Sequence, residues 1–345
     1  MRRAPALLAL LVSALLSASG SPGPSPADPA RPRKTAARVS RGAIDYVRSI
    51  DSVRAFSQPR SFLGKVVEWV AGRAEKPRLL RPYAVAQDSQ GRLIVADPGQ
   101  RVVHIFDFER RKYQHLSGGR RERFRSPVGV AVDARDNIYV SDSVRARIYI
   151  FNKKGKFIRA LGAPDRETVF RRPTGLALDP ARRLLYVTDT LRHQVLVLDL
   201  GGALLRTIGR RGKGPGEFNY PTALALAGGT LYVADAMNFR VQALTPEGHF
   251  LSSFGRLGNR TGTFNRIKGI AADTDGNLYV VDALFETVQV FDPEGRLLYY
   301  FGSTGTGDGQ FTLPAGIYID PRNHIFIADS YNRRVQEFRY RRVEP

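Results

Sequence analysis

The sequence predicts an all-β fold, a six-bladed β-propeller of four-stranded antiparallel blades with a short N-terminal helix. Three observations lead to this prediction. The 345 residues are 43% hydrophobic and 25% charged, which is typical of a globular protein with a core. An aspartate closes an apolar run once every 45 to 47 residues along most of the chain. Each interval holds short alternating stretches separated by turn residues, so a propeller is favoured over a helical solenoid.

The N-terminal segment is predicted to be an export signal followed by a linker. Met1-Arg2-Arg3 precedes an apolar stretch at 4–16, and small residues follow up to position 20. This arrangement is typical of a secretory signal peptide over 1–20, with an uncleaved anchor as the alternative. Five prolines and a basic cluster predict an extended linker over 21–42. Because the chain has no cysteine, we expect a bacterial envelope protein, periplasmic or extracellular.

The second repeat illustrates the predicted blade. Its strands a to d are predicted at 128–133, 137–142, 147–151 and 156–161, with Gly, Asn, Asp and Pro between them. The six repeats fill 80–345. The aspartates that end the six strands b are Asp97, Asp142, Asp189, Asp235, Asp282 and Asp329.

The residues of this repeat resemble a known family. The stretches Phe124-Arg-Ser-Pro-Val-Gly-Val-Ala-Val-Asp133, Asn137-Ile-Tyr-Val-Ser-Asp142 and Arg147-Ile-Tyr-Ile-Phe151 resemble an NHL repeat, and the pattern recurs six times. Gln194 and Thr287 stand where the motif carries Arg. The resemblance implies an NHL-type propeller. It also implies a basic face of the kind that binds RNA in eukaryotic members, whose zinc RING is excluded here by the absence of cysteine.

The sixth repeat supplies three strands, and the fourth is predicted to come from the N-terminal side. The earlier strands d share a pattern such as Phe157-Ile-Arg-Ala-Leu-Gly162. Tyr46-Val-Arg-Ser-Ile-Asp51 fits that pattern apart from its last residue. We therefore expect 44–50 to form the outer strand of blade six, so that the propeller domain spans 43–345.

A helix is predicted between that strand and the first repeat, over 61–71. Apolar residues at 62, 63, 66, 67 and 70 mark one helical face, between Ser61 as a possible N-cap and Gly72 as a C-terminal stop. The helix either packs on the rim of the propeller or docks a partner through Phe62, Val66 and Trp69.

Metal and catalytic sites are not expected. An aspartate at each strand end is best explained as a turn cap that accepts amide hydrogen bonds, rather than as a ring of metal ligands. Arg147, Arg240 and Arg334 each follow such an aspartate by five residues and are expected to support the same turn. The five histidines occupy no equivalent blade positions, so no metal triad and no cofactor site are predicted. This departs from the zinc and calcium sites of lyase-type and gluconolactonase-type propellers.

Charge is the most informative feature for function. The net charge is +21, and the d–a connections between consecutive blades carry +13 of it, whereas the b–c loops sum to zero and the remaining loops to −1. Since d–a and b–c loops emerge on the same face, the excess lies on one side of the propeller. An arginine-biased surface that binds nothing in particular is the alternative. The basic residues expected to bind ligand are Arg120, Arg121, Arg123, Arg125, Arg210, Arg211, Lys213, Arg256, Arg260, Arg266 and Lys268.

These observations favour a non-enzymatic binding scaffold. The expected partners are acidic polysaccharide, anionic lipid head groups or an acidic protein, with RNA binding expected only in vitro. One alternative is a hydrolase or lyase with a metal at the channel mouth, for which the purified protein would hold stoichiometric metal. The other is a structural subunit of an envelope assembly docked through 61–71, for which deletion of the helix would abolish co-purification.

Overall fold

Continuous apolar runs form the middle strands of every blade because both faces of those strands are buried. In the Leu-Leu-Tyr-Val-Thr-Asp strand of blade three, for example, all six residues are buried. Successive side chains point to opposite faces of a sheet, so such a strand must contact a neighbouring blade on each side. The computed structural model describes residues 42–52, 78–162 and 169–342. The predicted signal peptide, the linker before residue 42 and the helix at 61–71 lie outside these residues.

Twenty-six strands occupy the described residues. β1 covers Gly42–Ile50. Blade one consists of β2 (Ala84–Gln87), β3 (Leu93–Asp97), β4 (Val102–Asp107) and β5 (Lys112–Leu116). Blade two consists of β6 (Pro127–Val132), β7 (Ile138–Asp142), β8 (Arg147–Phe151) and β9 (Phe157–Leu161). Blade three consists of β10 (Pro173–Asp179), β11 (Leu184–Asp189), β12 (Gln194–Asp199) and β13 (Leu204–Ile208).

Blade four consists of β14 (Pro221–Ala227), β15 (Thr230–Asp235), β16 (Arg240–Leu244) and β17 (Phe250–Phe254), with a 3₁₀ turn at Ala236–Asn238. Blade five consists of β18 (Ile267–Ala272), β19 (Leu278–Asp282), β20 (Thr287–Phe291) and β21 (Leu297–Phe301). The short β22 (Ser303–Thr304) and β23 (Gln310–Phe311) pair in parallel before blade six, which contains β24 (Ile317–Ile319), β25 (His324–Asp329) and β26 (Arg334–Arg342). Within the described residues this makes six four-stranded antiparallel sheets and confirms the predicted six-bladed propeller.

The hydrophobic core consists of six clusters, one between each pair of neighbouring blades. The cluster between blades one and two, for instance, joins Ile94 and Ile105 to Ile138 and Tyr149. The outer strands contribute much less, and four of the five residues of β17 are exposed. Each blade is therefore stabilised mainly by its two neighbours.

The ring is closed by strands from both ends of the described chain. β1 is the outer strand of blade six and pairs antiparallel with β26, from Gly42 opposite Arg342 to Ile50 opposite Val335. Ile50 is fully buried in the cluster between blades six and one. On the inner side, the amide of Gly316 in blade six donates to the carbonyl of Tyr83, just before blade one, at 2.8 Å. Among the described residues, no helix has the length and apolarity needed to cross a membrane.

Candidate binding face

The aspartate at the end of each strand b joins two loops into one surface. Asp142 accepts hydrogen bonds from the amides of Arg125 and Ser126 in the preceding d–a connection, at 2.6 and 3.1 Å. It also accepts from the amides of Val144 and Arg145 in the b–c turn, at 3.1 and 2.9 Å. We call the surface formed by d–a connections and b–c turns the upper face, and the surface formed by a–b and c–d turns the lower face. The equivalent aspartates are all fully buried: Asp97, Asp142, Asp189, Asp235, Asp282 and Asp329.

The d–a connections are fixed a second time by a buried apolar residue. Phe264 lies next to Asn265, whose amide donates to Asp282 at 2.7 Å, and its side chain is fully buried. Gly255 packs against this ring at a φ of +93°, where a Cβ would lie 2.3 Å from the ring. A side chain at that position is excluded by both the backbone angle and the space. The equivalent anchors, none more than 2% exposed, are Leu79, Phe124, Phe170, Phe218, Phe264 and Phe311.

The sequence-predicted basic residues lie on three d–a connections of the upper face. Four precede blade two and three precede blade four. Three more lie between β17 and β18, and the eleventh, Lys268, is the second residue of β18. Ten of them are exposed and Lys268 is half-buried. Within the described residues, one of the eleven is in an ion pair: Arg210 Nε lies 2.9 Å from Glu217 Oε1. The other ten have no carboxylate within ion-pair distance among those residues.

Some arginines of the lower face form ion pairs within their own turns. Four arginines there are each paired with an aspartate of their own turn, which also accepts backbone amides of that turn. The pairs are Arg92 with Asp88 at 2.6 Å, Arg110 with Asp107 at 3.2 Å, Arg182 with Asp179 at 2.9 Å and Arg296 with Asp292 at 2.5 Å. Other exposed lower-face arginines, such as Arg183 and Arg322, have no ion pair among the described residues, so the faces differ chiefly in the number of basic residues.

Lys268 differs from the other basic residues because it lies near the channel. It is the second residue of the innermost strand of blade five, and its Nζ donates to the hydroxyl of Tyr83 at 3.2 Å. The same Nζ lies 5.5 Å from the centre of the Tyr83 ring. This contact spans from blade five to blade one and leaves an ammonium group at the channel mouth.

His193 lies on this face beside two arginines, and its pKa is lowered. His193 is buried in the b–c turn of blade three, and its Nδ1 accepts the amide of Tyr220 at 3.1 Å. Burial and the positive charges of Arg211 and Arg171 lower the pKa of His193, although Asp235 acts in the opposite direction. Burial is therefore the main reason that the pKa of His193 is lowered, and the nearby arginines add to it.

Two of the three expected arginine partners bind the turn aspartate directly. Arg240 Nε lies 2.9 Å from Asp235, and Arg334 Nε lies 2.8 Å from Asp329. Arg147 differs from the expectation, because its guanidinium binds Glu122 of the d–a connection at 2.6 Å. Glu122 also accepts the hydroxyl of Tyr149 at 2.9 Å, so a local acid has replaced the aspartate as partner.

The same face carries a set of exposed apolar side chains that was not predicted from the sequence. They stand two residues after the strand-b aspartate, in the b–c turns. Extending the repeat alignment past that aspartate shows that apolar residues recur at this position, but it does not show that they are exposed. Among large apolar residues, the exposed fractions are 58% for Val144, 52% for Met237, 49% for Leu284 and 52% for Tyr331.

Among the described residues, no group of three His, Cys, Asp or Glu side chains is placed to hold a metal ion. Two histidines have polar partners within their own blades. In blade one, Nδ1 of His104 lies 2.9 Å from the Tyr113 hydroxyl, and in blade six, Nδ1 of His324 lies 2.7 Å from Oε1 of Glu337. The partner-helix residues Phe62, Val66 and Trp69 lie outside the described residues.

Comparison with known proteins identifies the repeats and the fold. The NHL repeat family model matches residues 124–151 and 311–338, and a six-bladed beta-propeller family model matches residues 178–254. Protein brain tumor from Drosophila melanogaster is 32% identical over 108 residues, which are 30% of this chain and 10% of that protein. The matched segment is thus a small part of this relative.

Similar solved structures include two enzymes and a binding protein. Virginiamycin B lyase from Staphylococcus aureus gives a TM-score of 0.56 at 14% identity, covering 75% of this chain and 95% of its own. A gluconolactonase from Xanthomonas campestris gives 0.58 at 16% identity, covering 86% and 98%. An auxiliary nutrient binding protein from Bacteroides thetaiotaomicron gives 0.59 at 15% identity, covering 76% and 69%. At these identities the similarity shows the fold alone.

Proposed function

We propose that this chain, a six-bladed β-propeller that carries NHL repeats, is a non-enzymatic binding scaffold that holds an anionic partner on its upper face. The fold is shared by lyases, a gluconolactonase and nutrient-binding proteins, so the proposal rests on the surface of this chain.

The observation that carries the proposal is the concentration of exposed basic residues without ion-pair partners on the upper face. On the lower face the loops sum to −1, and four arginines, Arg92 and Arg182 among them, bind a carboxylate of their own turn. In the part of the chain that the structure describes, ten of the eleven predicted basic residues of the upper face have no such ion pair. An ion pair within the turn would have to be broken before the arginine could bind a ligand, whereas these residues need no exchange of partner.

The chemistry favours phosphate or carboxylate groups. A guanidinium offers a planar set of donors that matches either anion through two parallel hydrogen bonds. The connections that carry these arginines are held by a buried anchor and an aspartate cap, so little ordering is required on binding. Acidic polysaccharide, anionic lipid head groups and an acidic protein all offer such groups, and RNA would bind by the same charge in vitro.

The site of action that we propose is outside the cytoplasm, in the bacterial envelope, because residues 1–20 have the layout of a secretory signal. N-terminal sequencing of the protein recovered from the periplasm tests this. A mature chain that begins near residue 21 supports it, whereas an intact Met1 in the cytoplasm contradicts it.

Charge reversal on one face tests the binding proposal. The upper-face variant changes Arg120, Arg121, Arg211 and Arg256 to Glu, four exposed residues without an ion pair among the described residues. Binding to a soluble acidic polysaccharide should weaken by about tenfold or more, because four cations at the surface are replaced by anions. Isothermal titration calorimetry across a salt series measures both the affinity and its salt dependence.

A matched variant of the lower face serves as the control. Lys153, Lys154, Arg183 and Arg322 are also exposed, and their change to Glu alters the net charge by the same amount. If the two variants lose the same affinity, the attraction is a property of net charge and the upper face is not a binding site. Unchanged binding by the upper-face variant would also contradict the proposal.

A further inference from the structure

The upper face carries an apolar side chain in five of its six b–c turns, always two residues after the strand-b aspartate. Four of them are 49 to 58% exposed, and the fifth, in blade three, is less exposed than these four. A single exposed apolar residue is ordinary, but the same position repeated around one face of a propeller is not explained by the core. The five residues, which we call the apolar ring, are Val144, Leu191, Met237, Leu284 and Tyr331.

Equivalent backbone geometry places the apolar ring at one level. Each b–c turn ends with a residue in the left-handed region, four residues after the aspartate. The φ values lie between 54° and 60° in all six blades, at Arg101, Ala146, His193, Phe239, Glu286 and Arg333. Since the aspartate and this residue fix both ends of the turn, the residue between them is presented in the same way by every blade.

Blade one has a glycine at the ring position, and a neighbouring leucine occupies its place. A Cβ on Gly99 would lie 3.2 Å from Cγ of Leu80. Leu80 itself is 42% exposed, and its amide donates to Asp97 at 2.7 Å. An apolar side chain therefore stands beside the b–c turn in all six blades.

Arginines lie directly beside the apolar ring. The guanidinium of Arg81 lies 5.1 Å from the centre of the Tyr331 ring and donates to its hydroxyl at 2.9 Å. The amides of Arg125 and Arg172 bind the same aspartates that begin the turns of Val144 and Leu191. The upper face thus combines cations and apolar side chains.

We propose that the upper face docks on the surface of an anionic lipid bilayer, an inference that rests on the proposed function and names its partner. The level arrangement favours a flat partner, because a plane contacts all six blades at once. An extended peptide crossing the face would meet the ring at only two or three positions. In the docked state the ring enters the boundary between head groups and acyl chains, and the arginines bind lipid phosphates.

The test uses two variants with equal loss of exposed apolar surface. The ring variant changes Val144, Met237 and Leu284 to Ser, from residues that are 58, 52 and 49% exposed. The control changes Ile158, Leu205 and Leu251 to Ser on outer strands, from residues that are 48, 52 and 54% exposed. Neither set belongs to the basic residues, so both variants keep the charge of the parent.

Co-sedimentation with phosphatidylcholine vesicles, with and without phosphatidylglycerol, measures binding. The parent should bind the anionic vesicles, the ring variant about tenfold or more weakly, and the outer-strand variant within about twofold of the parent. All three should bind a soluble acidic polysaccharide equally. For the parent alone, part of the vesicle binding should persist at a salt concentration that abolishes polysaccharide binding, because apolar insertion is not screened. This second measurement does not depend on any variant folding.

The two proposals fail in different ways. If charge reversal weakens binding but the ring variant behaves like the outer-strand variant, the apolar ring does not insert and the bilayer is not the partner. If vesicle binding disappears at the same salt concentration as polysaccharide binding, the apolar ring likewise does not insert and the bilayer is not the partner. If charge reversal changes neither vesicle nor polysaccharide binding, the proposed function itself fails.

Discussion

At the scale of single residues, the strand-b aspartates organise the loops of the upper face. Asp97 accepts the amides of Leu80, Arg81 and Gln100, and its carboxylate lies 3.5 Å from Nε2 of His104. Burial alone would raise the pKa of Asp97. The nearby His104 ring and the three amides outweigh burial and hold the pKa of Asp97 below its usual range.

The pKa shift gives a prediction for stability against pH. A carboxyl group whose pKa is lower in the folded state stabilises the protein above its unfolded pKa, and this contribution is lost as pH falls through the folded pKa. Asp97→Asn should reduce the free energy of unfolding by about 2–3 kcal/mol at neutral pH, since one charged acceptor of several amides is removed. Urea denaturation of both proteins between neutral and acidic pH measures the difference.

The difference between the two proteins should narrow as pH falls below the ordinary range of an aspartate. A difference that stays constant into acid would show that the charge of Asp97 contributes nothing and that only the shape of its side chain matters.

Residue identities could be predicted where the repeat constrains them and not where local partners compete. The turn-cap aspartates follow from a fixed period, and each accepts amides from the loops at its strand end. The partner of Arg147 could not be predicted, because Glu122 approaches it from another connection. The exposure of Val144 or Leu284 could not be predicted either, since an apolar residue beside a buried strand is as compatible with the core as with a surface.

At the scale of elements, the strand that closes the ring could be predicted from its sequence pattern. The alternation in Tyr46-Val-Arg-Ser-Ile-Asp51 predicts an outer strand, and in the structure β1 lies at that position of blade six. Its inward side chains Ile44 and Tyr46 join the cluster between blades five and six. Arg48 binds Glu337 of β26 at 2.6 Å. Sheet pairing therefore connects segments almost 300 residues apart.

Replacement of one buried residue in β1 tests the contribution of this closure. Ile50→Ala should lower the free energy of unfolding by about 3 kcal/mol, because a fully buried side chain is removed from the cluster between blades six and one. Val47→Ala in the same strand should cost less than about 1 kcal/mol, because Val47 is 44% exposed. Denaturant unfolding measures both. Equal, small effects would mean that β1 adds little to the stability of the ring.

At the scale of the whole molecule, the propeller presents two different faces on one symmetric scaffold. The number of blades, the strand order and the excess of basic residues on one side could all be predicted from the period and the loop sequences. The ion pairing of the lower face could not, because it depends on turn geometry that brings Arg182 to Asp179 or Arg296 to Asp292. The partner that we propose, an anionic bilayer, is inferred from two features together, the unpaired cations and the ring of apolar side chains.

Arginine footprinting would test the upper face as the binding site most directly. The protein is treated with an arginine-selective dicarbonyl reagent, free and bound to anionic vesicles, and the modified sites are quantified by mass spectrometry. We expect Arg120, Arg121, Arg211 and Arg256 to be protected on binding, whereas the exposed lower-face residues Arg183 and Arg322 should react as before. Protection of Arg183 and Arg322, or equal protection on both faces, would contradict it.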